Sequence, residues 1–114
     1  MNTPETQFTL NFASKDQLLS AYMPFIKNGA LFVHTNKPYQ LGAEITLKII
    51  LPEDTVEYTV SGKIVWITPT AAQWGMRAGI GVRFESSPAN VSLREKIEGL
   101  LVGMLYTDRQ VDTL

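Results

Sequence analysis

The sequence contains no cysteine and a single histidine, His34. Without thiols there can be no disulfide frame, no thiolate zinc or iron–sulfur site and no cysteine nucleophile. With one imidazole, a histidine metal cluster cannot be assembled, and a Ser–His–Asp triad would rest on His34 alone. Charge of one sign is equally scarce. Ten Lys and Arg face eleven Asp and Glu, a formal net charge of −1, and the basic residues are scattered singly from Lys15 to Arg109. That is not the basic stripe a phosphate backbone demands, so nucleic acid is not expected as a partner. No arginine precedes Arg77. Long apolar runs are also missing. Leu100 to Leu105 is far too short to span a bilayer, and the opening MNTPETQF has neither a basic nor an apolar region of the signal-peptide kind. A cytoplasmic protein without membrane insertion is expected, consistent with the absence of cysteine.

What is present suits one small folded unit. At 114 residues, 45% hydrophobic and 18% charged, the chain is too apolar for disorder and can remove roughly two-thirds of its unfolded surface from water. Repeats, low-complexity tracts and linkers are absent. A single domain over 1–114 is expected, with a folded core at 7–105 and a flexible tail at 106–114, where no periodicity is evident.

Hydrophobic periodicity divides the core. Phe8 to Phe12 alternates and predicts a strand. Ser14 with Gln17 forms a capping box ahead of Leu18, Leu19 and Tyr22, predicting a helix of about two turns that Pro24 ends. Leu31 to His34 predicts a short strand. Ile45, Leu47, Ile49 and Leu51 alternate with Glu44, Thr46, Lys48 and Ile50. From Glu57 to Thr68, Tyr58, Val60, Gly62, Ile64 and Trp66 share the apolar face, and Ala78, Ile80, Val82 and Phe84 line one more strand. Short strands rich in Val, Ile and Thr, with glycines at 62, 79 and 81, predict a mainly β fold: a small antiparallel β-barrel of five to six strands. A closing helix capped by Asn90 or Ser92 carries the stripe Leu93, Ile97, Leu100, Leu101 and Met104, placed to cover an open end of the barrel.

No constellation for catalysis emerges. The carboxylates Asp16, Glu44, Glu53, Asp54, Glu57 and Glu85 fall on outer faces or turns, with no pair spaced for acid–base work. Gly79-Ile80-Gly81 opens like a nucleotide fingerprint but sits inside a strand with no helix after it. An enzyme is not expected, and neither is a metal or a cofactor.

The segments Phe25 to Val33 (FIKNGALFV) and Gly79 to Phe84 (GIGVRF), with Val65-Trp66-Ile67 and the closing helix in this order, resemble the PilZ-domain family over nearly the whole chain. The likeness is greatest to its type IV pilus assembly branch. The resemblance implies the barrel with a terminal helix. It also implies a site, because PilZ domains commonly bind cyclic di-GMP through an upstream Arg-x-x-x-Arg and an Asp/Asn-x-Ser-x-x-Gly turn. Guanidinium forks bind phosphate bidentately and stack on guanine, which explains the arginines. Aligned on Gly29, this chain has Pro24 at the acidic or amide position and Ile26 at the serine, and it has no upstream arginine. Cyclic di-GMP is therefore not expected to bind.

The pilus branch implies instead a non-enzymatic adaptor in twitching motility. Its members contact the pilus extension ATPase (PilB-like) and, in some bacteria, a degenerate EAL-domain cyclic di-GMP receptor (FimX-like). The candidate protein-binding residues are Tyr22, Met23, Pro24, Phe25 and Ile26, with Trp74 as a second anchor. Within that patch, Phe25 and Ile26 precede a strand and are expected to plug the barrel, as is Trp66. At least one of Tyr22 and Met23 should point outward, since Leu18 and Leu19 already supply the inner face of their helix. The competing reading is a cyclic di-GMP receptor with another binding mode, drawing on Arg77 and Arg83.

Overall fold

The computed structural model describes residues 6–68 and 78–113, the last ten by backbone alone. Their order is β1 (Gln7–Asn11), α1 (Lys15–Ala21), β2 (Ala30–His34), β3 (Glu44–Ile50), β4 (Glu57–Thr68), β5 (Gly79–Phe84) and α2 (Pro88–Thr113). The five strands form one curled half-barrel sheet in the order β1-β3-β4-β5-β2. The mainly β fold with a short early helix and a C-terminal helix is the one the sequence predicts.

Two features depart from the expected barrel. First, the sheet is mixed, because β1 pairs with β3 in parallel, Phe8 beside Leu47 and Leu10 beside Ile49. Parallel neighbours need a long crossover rather than a hairpin. Here α1 and β2 lie between β1 and β3 in sequence and carry the chain back to the same end. Second, no ladder joins β1 to β2 among the described residues, so the two edges leave a seam.

The core lies on the concave side. Leu31, Ile45, Leu47, Ile49, Val60, Ile64, Ile80, Val82 and Phe84 project from the sheet, and Leu18 of α1 with Leu93, Ile97 and Leu101 of α2 close over them. Each such side chain contributes roughly 1.5–3 kcal/mol on burial, whereas one capping bond contributes about 1 kcal/mol, so packing rather than capping holds α2 in place. Its cap is nevertheless not the one expected. The Ser87 hydroxyl accepts from the Asn90 N–H at 3.2 Å, and Pro88 takes the first helical position, where its missing N–H costs nothing. Asn90 itself is buried and donates Nδ2 to the Glu85 carbonyl at 2.8 Å and to that of Ser61 at 3.4 Å. It fastens the helix start to the sheet. The helical backbone continues to Thr113, through most of the segment where the sequence suggested an unpatterned tail.

A bulge in β4 sets up the outer face. Ile64 pairs with Val82, but the next paired residue, Trp66, stands opposite Gly81, so Val65 is extra. One inserted residue reverses the alternation of everything after it. Val60, Gly62 and Ile64 are buried, whereas Trp66, expected on the same face, is 42% exposed.

Candidate functional site

The segment that joins α1 to β2 folds as two successive tight bends. Tyr22 is the C-cap of α1, its N–H bonded to the Leu18 carbonyl at 2.9 Å. Tyr22 also forms an antiparallel bridge with Leu31, and the Met23 N–H donates to Ala30 at 2.9 Å. From there Ile26 bonds back to Met23 at 3.3 Å and Gly29 to Ile26 at 2.8 Å. Asn28 and Gly29 have φ of 70° and 80°, the left-handed region that Asn and Gly tolerate best. An Asn-Gly pair is a strong turn signal, and Asn28-Gly29 adopts that turn in the backbone.

These bends reverse the expected exposures. Because the bridge draws Tyr22 and Met23 against β2, both are buried, at 5% and 8% exposure, and neither points outward. Phe25 lies at the outer limit of the bends and is 70% exposed rather than plugging the barrel. Pro24 is exposed and Ile26 half-buried. Trp74 and Arg77 fall within 69–77, outside the described residues.

Phe25 is not isolated. Its ring meets Trp66 edge-on, with centroids 6.1 Å apart and planes at 70°, a geometry that matches the positive edge of one ring to the negative face of the other. Below them Gly81 has no side chain, and a Cβ there would lie 2.8 Å from the Trp66 Cβ and 3.0 Å from the Met23 Sδ. The missing side chain lets Met23 and Trp66 press on the strand. Trp66 Nε1 donates to Thr68 Oγ1 at 3.1 Å, which fixes the indole along β4. Met23 as base and Phe25 and Trp66 as exposed surface therefore form one aromatic face on the outside of the sheet, made possible by the bulge.

On the other side of the bends, the Tyr22 hydroxyl donates to Glu98 Oε2 at 2.5 Å. Arg94 lies one helical turn before Glu98 and brings its Nε to 3.6 Å from the same carboxylate oxygen. The stem of Arg94 packs on Gly29, where a Cβ would meet its Cδ at 3.1 Å and the Tyr22 hydroxyl at 3.2 Å. Burial first, and then the bond to the anionic Glu98, raise the Tyr22 pKa well above the ordinary phenol value. The phenol is held as a neutral donor.

A shallow pocket of about 380 Å³ lies between the Pro24–Gly29 backbone and Arg94 and Glu98. Among the described residues one guanidinium, that of Arg94, lines it, and it is engaged by Glu98, whereas binding a phosphate through a fork calls for a free pair. Arg83 is half-buried on the outer face of β5, opposite Lys63. A second cavity of about 430 Å³ lies along the seam between β1 and β2 against Gln17 and Ser20 of α1. His34 lines it and meets Phe32 edge-on at 5.2 Å. No group of three His, Cys, Asp or Glu side chains that could hold a metal ion occurs among the described residues. Within the same residues no helix is long and apolar enough to cross a membrane.

Sequence reasoning missed the exposure of Trp66 and the parts played by Arg94 and Glu98. The four-residue spacing of those two on a helix was visible in the sequence; their meeting with Tyr22 was not. Comparison with protein families finds that the PilZ domain matches residues 4–103. No curated protein matches the chain.

Proposed function

From the premise that the chain belongs to the PilZ-domain family, a family of generally non-enzymatic binding domains linked to cyclic di-GMP, we propose that it is a cytoplasmic adaptor in type IV pilus biogenesis. In this reading it buries the Phe25–Trp66 face against the pilus extension ATPase, with an EAL-domain regulator as a further partner, and does not bind cyclic di-GMP. One observation carries the reading. At the turn where nucleotide-binding relatives present polar groups, this chain presents Phe25, 70% exposed and edge-on to a half-exposed Trp66. Aromatic side chains with few rotors are the residues that most often dominate protein interfaces. Pro24 and Ile26 belong to the contact surface in this reading. Tyr22 and Met23 support it from beneath, and Trp74, outside the described residues, is proposed as a second anchor.

The experiment is a binding titration of the purified ATPase against the chain and its Phe25→Ala and Trp66→Ala variants. Loss of affinity in both, with thermal midpoints near that of the unaltered chain, supports the adaptor. Undiminished binding in both excludes this face. A parallel calorimetric titration with cyclic di-GMP is expected to give no saturable heat; saturable heat would make the protein a nucleotide receptor with another mode of binding.

A further inference from the structure

Buried Tyr22 links the exposed aromatic face to the helix α2. On one side of that residue Glu98 accepts its hydroxyl at 2.5 Å, with Arg94 at 3.6 Å from the same oxygen. On the other side the next residue, Met23, presses on Gly81 beneath Trp66, and Phe25 follows two residues later. The five residues from Tyr22 to Ile26 include the C-cap of α1 and a tight bend, with two backbone bonds tying Met23 to its neighbours. A short segment so constrained cannot rotate at one end without moving the other. We infer that Glu98, oriented by Arg94, positions the Phe25–Trp66 face through the Tyr22 hydroxyl, so that α2 determines whether the two rings meet.

This assigns Tyr22 a positioning role. At 5% exposure it cannot supply contact area to a partner, and its ring is anchored in the hydrophobic core cluster. Its hydroxyl, rather than its ring, carries the coupling, which separates this role from packing alone. Glu98 is a suitable acceptor because a charged acceptor makes the shorter and stronger bond. Arg94 holds that carboxylate from one turn earlier and packs its stem on Gly29, so the far end of the bend is fixed by the same helix. The functional value of the arrangement rests on the adaptor reading; the coupling itself does not.

The test uses the full chain carrying Trp74→Phe, which leaves Trp66 as the one tryptophan that emits. Tyr22→Phe keeps the ring and deletes the hydroxyl, Glu98→Ala deletes the acceptor, and Glu98→Gln keeps an amide oxygen in its place. The expected result is a red shift of Trp66 emission and stronger acrylamide quenching in Tyr22→Phe and Glu98→Ala. Glu98→Gln should restore most of the original signal. Unchanged emission and quenching in Tyr22→Phe, with the thermal midpoint lowered or not, would overturn the inference, and this variant decides the matter if Glu98→Ala fails to fold. Since the readout needs no partner, it stands whether or not the ATPase binds. If it does bind, Tyr22→Phe is expected to weaken the complex while leaving the buried ring in place.

Discussion

At the scale of single residues, Tyr22 shows how burial changes what a substitution reports. Removing a buried aromatic ring costs about 3–5 kcal/mol, so Tyr22→Ala would confuse loss of binding with loss of fold, and Tyr22→Phe is the informative change. The same residue predicts a pH dependence. Its pKa is raised in the folded state, by burial first and by Glu98 second, so the protonated phenol is favoured by folding. Its contribution is fully present below about pH 10, where a free tyrosine ionises, and is lost as pH rises beyond that. Thermal midpoints measured from pH 8 to pH 12 should therefore fall more steeply for the unaltered chain than for Tyr22→Phe. Parallel curves would mean that the hydroxyl is not held as described. Sequence patterning brought attention to this residue, through its place beside Pro24. It could not orient it, because the bridge to Leu31 is a tertiary contact.

At the scale of elements, the two helix starts make a matched comparison. In α1, Ser14 Oγ accepts the Gln17 N–H at 3.3 Å and Gln17 Oε1 accepts the Ala13 N–H at 2.9 Å, both at the surface. Ser14→Ala should cost about 1 kcal/mol. Asn90 is buried and serves two carbonyls, and stripping a buried acceptor of its donor costs about 1–3 kcal/mol. Asn90→Ala should therefore lower the urea midpoint more than Ser14→Ala does; the reverse order would show that Asn90 does not fasten α2. Legibility differs between the two ends for a physical reason. The capping box of α1 is a local pattern and was read directly. The Asn90 side chain is spent on the sheet rather than on its own helix, which left the cap to Ser87. The strands were legible from alternation up to Ile64. Beyond it the bulge shifted the phase, and so the exposure of Trp66 could not be read.

At the scale of the whole molecule, α1, the sheet and α2 share one hydrophobic cluster, and units that share a core unfold together. Denaturation followed by far-ultraviolet circular dichroism and by tryptophan emission should give coincident curves; separate midpoints would show a helix that detaches on its own. The fold class and family likeness were legible because they depend on the order of patterned segments. The parallel pairing of β1 and the open seam were not, since sheet order follows from pairings between strands far apart in sequence.

One distance along the chain carries a further consequence. Tyr22 and Glu98 are separated by 76 residues, so their bond can close only after every strand from β2 to β5 and the first turns of α2 have been synthesised. Contacts of such long range form late, after local hairpins such as β3–β4 have paid much of the loop-closure entropy. A chain still emerging from the ribosome, or truncated before α2, lacks the group that sets the aromatic face. In the adaptor reading, the exposed aromatic face is therefore a sign of completed folding, and an unfinished copy would not compete for a partner on equal terms.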